Sequence, residues 1–189
     1  KDYGRLLAES RRNHGGHSIE PHLERLIGDE ARHAGLVKEL LGPMGERNVY
    51  SLHPRGRVLL VPQTAKGLFR QMAAALAAGN AVVIETASGL SESLGGLPPS
   101  VAARVTWSGD WEADGPFAGA LVEGDSALVR AVNARIAELG GPLVLVQAAS
   151  SAELAADTGV YCLSWLVEEV SMSVNTAAAG GNASLMTIG

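Results

Sequence analysis

Short apolar runs alternate with amphipathic segments through the middle of the chain. The runs that predict strands lie at 49–52, 57–62, 81–85, 104–107, 117–122 and 143–147. Between them, apolar residues recur at helical spacing over 65–78 and 126–139, with Thr64 and Asp125 as typical N-caps, and a short helix is predicted over 151–157. This alternation predicts an α/β fold: a Rossmann-like, doubly wound parallel sheet.

The two ends of the chain have different patterns. Residues 18–41 carry apolar side chains at helical spacing before a Gly42-Pro43 stop, which predicts a helical segment. Residues 160–175 are rich in β-branched and apolar side chains, which favour strands, beginning with Tyr161, Cys162 and Leu163. We therefore divide the chain into an N-terminal helical segment (1–44), a Rossmann-like domain (45–159), β-flap strands (160–175) and a C-terminal tail (176–189).

The C-terminal tail has an unusual composition, because no charged residue follows Glu169. A solvated tail is usually charged or rich in proline, whereas small residues allow close approach to another surface. The pattern favours a segment that covers a partner surface, and a frayed terminus is the alternative. The residues expected to make that contact are Asn175, Thr176, Ala177, Ala178, Ala179, Gly180, Gly181, Asn182, Ala183, Ser184, Leu185 and Met186.

Composition and charge narrow the classes of function. The formal net charge is −5 and no basic run is present, so the sequence predicts no contact with nucleic acid. No apolar run approaches the roughly 20 residues of a spanning helix, and we expect no membrane contact by this segment. The single cysteine, Cys162, excludes an internal disulfide and is typical of a cytoplasmic protein. His14, His17 and His22 lack the further ligands that a metal site requires.

Two strings carry a resemblance to a known family. GPMGERNVYSLHPRGRVLLV (42–61) and VSMSVNTAAAGGNASLMTIG (170–189) resemble the C-terminal domain of the long forms of proline utilization A. The resemblance implies an aldehyde-dehydrogenase-like domain, without catalysis or a cofactor of its own, in a cytoplasmic flavoenzyme that converts proline to glutamate with FAD and NAD. That flavoenzyme can lie peripherally on the inner membrane face. Because the chain starts at Lys1 without methionine, we expect a piece of a larger protein.

The same resemblance implies a role. In proline utilization A this domain packs on the pyrroline-5-carboxylate dehydrogenase domain of the same polypeptide, in imitation of a dimer partner. Its tail covers the tunnel through which the intermediate passes. Two alternatives stay open on the sequence: the NAD-binding portion of an aldehyde-dehydrogenase-type oxidoreductase, and a soluble oligomer that self-associates through the flap.

The motifs of aldehyde dehydrogenases are altered in this chain. ALAAGNAVVIETAS (75–88) is similar to the strand whose end carries a cofactor-binding lysine, but Glu85 stands in that place. Where that family has a glycine-rich turn beside the pyrophosphate, Gly109 and Gly115 flank acidic residues. Those carboxylates, at Asp110, Glu112 and Asp114, would repel a pyrophosphate. We therefore expect no cofactor site.

A catalytic site is not expected either. ELGGPLVLVQ (138–147) is similar to the signature that carries the general base of aldehyde dehydrogenases, which corresponds to Glu138. A general base works only beside a nucleophile or a water molecule, and no domain with a catalytic cysteine follows. Cys162 lies between apolar neighbours, so we expect a buried, unreactive thiol. The sequence thus predicts no catalytic and no metal site.

Overall fold

A computed structural model describes residues 36–42, 45–94, 97, 99–156 and 161–175 of the 189. The described strands are β1 (Val37–Leu40), β2 (Glu46–Pro54), β3 (Arg57–Val61), β4 (Ala81–Glu85), β5 (Val105–Ser108), β6 (Gly119–Glu123), β7 (Leu145–Ala149) and β8 (Val167–Asn175). The described α-helices are α1 (Ala65–Ala77), α2 (Pro99–Ala102), α3 (Ser126–Ala137) and α4 (Ser151–Ala155). Short 3₁₀ helices cover Thr86–Ser88, Leu90–Leu94, Trp111–Asp114 and Leu163–Leu166.

Five strands form a parallel sheet in the order β5-β4-β3-β6-β7. Strand β3 is central, and successive side chains of a strand point to opposite faces of its sheet. Val58 and Leu60 belong to the core that α1 covers, whereas Leu59 and Val61 belong to the core on the face of α3. Because both faces are covered, these strands are continuously apolar, and the predicted doubly wound α/β fold is confirmed.

The two long helices start at the predicted caps. The hydroxyl of Thr64 accepts a hydrogen bond from the N–H of Gly67 at 3.0 Å, which satisfies a donor of the first turn of α1. One carboxylate oxygen of Asp125 accepts from the N–H groups of Ala127 and Leu128 at the start of α3. Helix α1 ends at Ala77 and is followed by Ala78 and Gly79, whose φ of +82° suits the left-handed turn that closes a helix.

A second, antiparallel sheet of three strands has the order β1-β2-β8. Strand β8 runs beside the whole of β2, from Glu46 opposite Asn175 to Pro54 opposite Val167. Only Arg55 and Gly56 separate β2 from β3, so the chain passes directly from this sheet into the centre of the parallel one. We call the three-stranded sheet the flap.

Three local predictions are wrong. Val37–Leu40 is a strand rather than the end of a helix, because pairing with β2 outweighs a local helical pattern. Tyr161–Leu163 is not a strand, since a 3₁₀ helix begins at Leu163. The strand predicted over 143–147 as buried is β7, which begins two residues later and is half exposed at the sheet edge. The rest of the predicted N-terminal helix and its histidines lies outside the described residues.

The described helices include none that is both long and apolar enough to cross a bilayer.

Candidate functional site

The carboxyl ends of the five parallel strands meet at one edge of the sheet, where open α/β folds bind their ligands. The strand order reverses between β3 and β6, so the crevice above these two strands is the expected position of a ligand. Two strands end there in a carboxylate, Glu85 on β4 and Glu123 on β6. We call this region the carboxyl-edge crevice.

A buried tryptophan fills one side of the carboxyl-edge crevice. Trp111, in the 3₁₀ helix after β5, is fully buried and packs edge-to-face on Phe117 with ring centroids 6.0 Å apart. Its indole N–H donates to Oε1 of Glu85 at 3.3 Å. The acidic turn that the sequence places near a pyrophosphate is therefore held in the core by its own aromatic residue.

Arg135, on α3, closes the same side of the crevice. Its guanidinium carbon lies 4.4 Å from the centre of a Trp111 ring, a cation–π geometry. Its Nε donates to Oε1 of Glu112 at 2.6 Å, and its Nη1 lies 3.7 Å from Oε1 of Glu85. The single positive charge of Arg135 thus offsets part of the negative charge of these two carboxylates within the chain.

Glu123 fills the other side, at the switch between β3 and β6. Its side chain is fully buried, and Oε2 accepts from the backbone N–H of Gln63 at 2.7 Å and of Thr64 at 2.8 Å. Oε1 accepts from the hydroxyl of Thr64 at 2.7 Å. The carboxylate therefore meets the free donors at the start of α1, where an anion is favoured.

Beneath Glu123, two buried polar side chains complete the crevice. The hydroxyl of Tyr161 donates to the carbonyl of Val122 at 3.2 Å and accepts from Nε2 of Gln71 at 3.0 Å. Nε2 of Gln71 also lies 3.3 Å from the carbonyl oxygen of Val61. Burial raises the pKa of Tyr161 to about 12; the hydrogen bond from Gln71 opposes that rise and the charge of Glu123 adds to it. The hydroxyl therefore stays protonated at neutral pH.

Several polar groups that could contact a nicotinamide dinucleotide in this crevice make hydrogen bonds within the chain. Glu85, the residue placed to accept from a ribose hydroxyl, already accepts from Trp111. The N–H groups of Gln63 and Thr64, just before α1, already bind Glu123. A bound phosphate would have to displace a buried carboxylate of the same charge.

Glu138 and Cys162 lie away from the carboxyl-edge crevice. Glu138 is exposed at the C-terminal cap of α3. Cys162 is exposed, contrary to the prediction of a buried thiol, because the chain turns there so that Tyr161 and Leu166 point inward instead. The Cys162 thiol lies 3.0 Å from the hydroxyl of Ser164. Among the residues that the structure describes, no group of three potential metal ligands occurs.

The flap presents an apolar face to solvent. Its alternate residues on β8 are 38% (Val170), 50% (Met172) and 41% (Val174) exposed. Directly paired residues of an antiparallel sheet share a face, so Val49 lies beside Met172, and Val37 is on the same side through its pairing with Ser51. We call this set of residues, Val37, Val49, Val170, Met172 and Val174, the flap face. The same side of the sheet also carries the exposed ion pair between Glu39 and Arg47, at 3.3 Å.

Buried hydrogen bonds anchor the flap to the parallel sheet. Asn80, after α1, donates through Nδ2 to the carbonyl of Leu166 at 2.8 Å, immediately before β8. Its Oδ1 accepts from the N–H of Gly56 at 2.9 Å, between β2 and β3. One buried side chain therefore holds both chain segments that connect the flap to the core.

Sequence reasoning found the acidic turn, Glu85 and the flap strand β8, but it missed the flap strand β1 and the roles of Glu123, Gln71, Arg135 and Tyr161. A signal for Glu123 exists, because a carboxylate directly after the apolar run 117–122 must lie at the carboxyl edge. The tail residues 176–189 lie outside the described residues, and Asn175 is the exposed last residue of β8.

The fold of the chain is similar to that of aldehyde dehydrogenases and of proline utilization A. A substrate-bound structure of Staphylococcus aureus AldH matches 78% of this chain and 37% of its own, with a TM-score of 0.50 and 16% identity. A mutant of Bradyrhizobium japonicum proline utilization A matches 68% of this chain and 15% of its own, with a TM-score of 0.51 and 23% identity. These similarities concern the fold alone.

Sequence similarity identifies the family. The bifunctional protein PutA of Rhizobium meliloti is 68% identical over 155 residues, which are 82% of this chain. The chain belongs to the PutA-related, aldehyde-dehydrogenase-like domains, as the resemblance predicted. It spans 13% of the length of that relative. No protein-family model matches the chain.

Proposed function

We propose that this chain is a non-catalytic interaction domain of a bifunctional enzyme that oxidises proline to glutamate. The enzyme would use FAD and NAD in its other domains. The flap face would pack on the dehydrogenase domain of the same polypeptide as a dimer partner does, and residues 176–189 would cover the tunnel for the intermediate. The observation that carries this proposal is the exposed apolar flap face.

The flap offers two kinds of contact to a partner. Its apolar side chains can be buried, and burial of apolar area is the main favourable term in association. Its outer strands β1 and β8 each have a neighbour on one side only within the described sheet. The nine residues of β8 extend roughly 30 Å at about 3.3 Å per residue, which is long enough for a partner strand to pair along them.

The carboxyl-edge crevice supports the non-catalytic part of the proposal. The carboxylates of Glu85 and Glu123 and the N–H groups of Gln63 and Thr64 are engaged within the chain, which leaves fewer groups for a substrate or NAD. The alternative, an NAD-binding portion of an oxidoreductase, requires those contacts to be broken. A positive titration with NAD would favour that alternative.

A substitution that introduces a charge on the flap face tests whether this face packs on the dehydrogenase domain. In the complete polypeptide, Met172→Glu should lower pyrroline-5-carboxylate dehydrogenase turnover about tenfold or more, because a buried unpaired charge weakens an interface by at least about 1.4 kcal/mol. Ser171→Glu, on the opposite face of the same strand, is the matched control and should leave turnover unchanged. Equal turnover in the two variants would refute docking through this face. A dimer of the isolated chain that Met172→Glu abolishes, with turnover intact, would indicate self-association instead.

The tail is tested by a truncation before Asn175. When residues 175–189 are removed from the isolated chain, its thermal midpoint should not change, because none of the removed residues belongs to the described core. The same truncation in the complete polypeptide should reduce dehydrogenase turnover and the transfer of intermediate between sites. Unfolding of the truncated chain, with coupled turnover intact in the complete polypeptide, would contradict the proposed covering role.

A further inference from the structure

Glu123 makes an unusual set of contacts for a buried carboxylate. Its three hydrogen bonds come from the N–H of Gln63, the N–H of Thr64 and the hydroxyl of Thr64, at 2.7, 2.8 and 2.7 Å. All three donors belong to the two residues just before α1. The carboxylate is thus bound by donors from a different segment of the chain, in the way that a free anionic ligand would be bound.

These donors belong to a position that takes anions in folds of this type. The backbone N–H groups at the start of a helix carry a partial positive charge, and in a doubly wound sheet they face the crevice at the switch point. A phosphate or carboxylate group is the chemical class that such a position favours. Here that group is supplied by the end of β6.

The space around the carboxylate is fitted to it. A methyl group on Gly67 would lie 1.8 Å from Oε2 of Glu123, so α1 can approach the carboxylate only because residue 67 has no side chain. On the side of the sheet, the Tyr161 hydroxyl binds the carbonyl of Val122, the residue before Glu123. A second anion therefore has no room while Glu123 is in place.

We propose that Glu123 is an internal ligand that occupies an anion site at the start of α1 and closes it to phosphate groups, including those of NAD. The inference is independent of the role proposed for the flap. It implies that removal of the carboxylate leaves an anion site whose shape is known. Glu123→Ala deletes a group equivalent to acetate, so acetate is the matched probe.

The test measures the thermal midpoint of the whole 189-residue chain at constant ionic strength. Glu123→Ala should lower the midpoint by roughly 5–10 °C, through the loss of hydrogen bonds to a charged group. Acetate, at about ten times its dissociation constant, should restore about 3–5 °C, whereas chloride and neutral acetamide should not. The unsubstituted chain should show no shift with acetate, phosphate or NAD.

Two further variants separate this proposal from a general capping effect. Asp125→Ala removes an exposed capping carboxylate from α3 and should lower the midpoint by roughly 2–4 °C without rescue by acetate. Glu123→Gln leaves no empty space but removes the charge, so it should be destabilised and not rescued. If Glu123→Ala does not fold in chloride, its refolding yield in acetate against acetamide decides the question.

Three results would overturn the proposal: a midpoint of Glu123→Ala equal to that of the unsubstituted chain, equal rescue by acetate and acetamide, or stabilisation of the unsubstituted chain by phosphate or NAD.

Discussion

The carboxyl-edge crevice and the flap differ in whether their side chains make contacts within the chain or face solvent. In the crevice, buried polar groups such as Glu123 and Glu85 bind donors from the same chain, and Trp111 is fully buried. On the flap, apolar side chains such as Met172 remain half exposed and the outer strands lack a second neighbour. A region with its groups engaged internally stabilises the domain, whereas a region with exposed apolar groups is available to a partner.

The difference also divides the fold by function. In the carboxyl-edge crevice, Glu123 and Trp111 are fully buried and make hydrogen bonds within the chain. What remains available for recognition lies on the flap. We infer that the domain has kept the scaffold of a nucleotide-binding fold for its shape and its protruding strands.

The largest expected effect is a difference in the free energy of unfolding between alanine substitutions of two tryptophans, one in the crevice and one near the flap. Trp111→Ala should lower the free energy of unfolding by about 3–5 kcal/mol, because it empties a buried site and leaves the Glu85 carboxylate without the indole N–H. Trp165→Ala, at a half-exposed ring near the flap, should change it by about 0.5 kcal/mol or less. Urea denaturation of both variants measures the difference. Similar losses in the two would mean that the crevice is not the more tightly packed region.

A smaller effect depends on pH. Because burial raises the pKa of Tyr161 to about 12 from its ordinary 10.0, the folded protein holds the phenolic proton more tightly than the unfolded chain. The resulting stability is fully present below about pH 10 and is lost as pH rises to about 12, by up to about 2 kcal/mol. Tyr161→Phe should lack this loss, although at neutral pH it should be less stable by about 1 kcal/mol. Urea unfolding of both proteins across that pH range measures it.

Tyr50→Phe on the flap measures a second alkaline contribution, because desolvation and a hydrogen bond to Glu169 also raise the pKa of Tyr50. The loss caused by Tyr161 is the part that remains in Tyr50→Phe and is absent from Tyr161→Phe. A parallel decline of Tyr161→Phe and the unsubstituted chain above pH 10 would show that other groups cause the alkaline loss.

The smallest effect is expected at the cysteine between the two regions. Cys162→Ser should change the free energy of unfolding by about 0.5 kcal/mol or less, since the thiol is exposed and lies beside the hydroxyl of Ser164, with which a serine could also form a hydrogen bond. Dehydrogenase turnover of the complete polypeptide should also be unchanged. Loss of turnover in a folded variant would show that this thiol takes part in chemistry.

The spacing of apolar residues, together with the residues that start and end helices, was enough to predict the parallel sheet. Apolar runs such as 57–62 and 81–85, separated by the helix that Thr64 caps, predict strands joined by a helical crossover. Each of these patterns involves only residues that are close together in the chain. The altered motifs at Glu85 and at the acidic turn were also visible as residue types. These features depend on residue types and on residues close together in the chain, and both can be read directly from the sequence.

Only the tertiary structure decided how the crevice is filled and which segments pair in the flap. Glu123 meets Thr64 across 59 positions, and Tyr161 meets Gln71 across 90, so neither contact leaves a local pattern. Val37–Leu40 became a strand because β2 pairs with it, and Cys162 became exposed because its neighbours Tyr161 and Leu166 took the buried positions. Such outcomes follow from backbone pairing and competition for burial between distant segments, which local propensity does not specify.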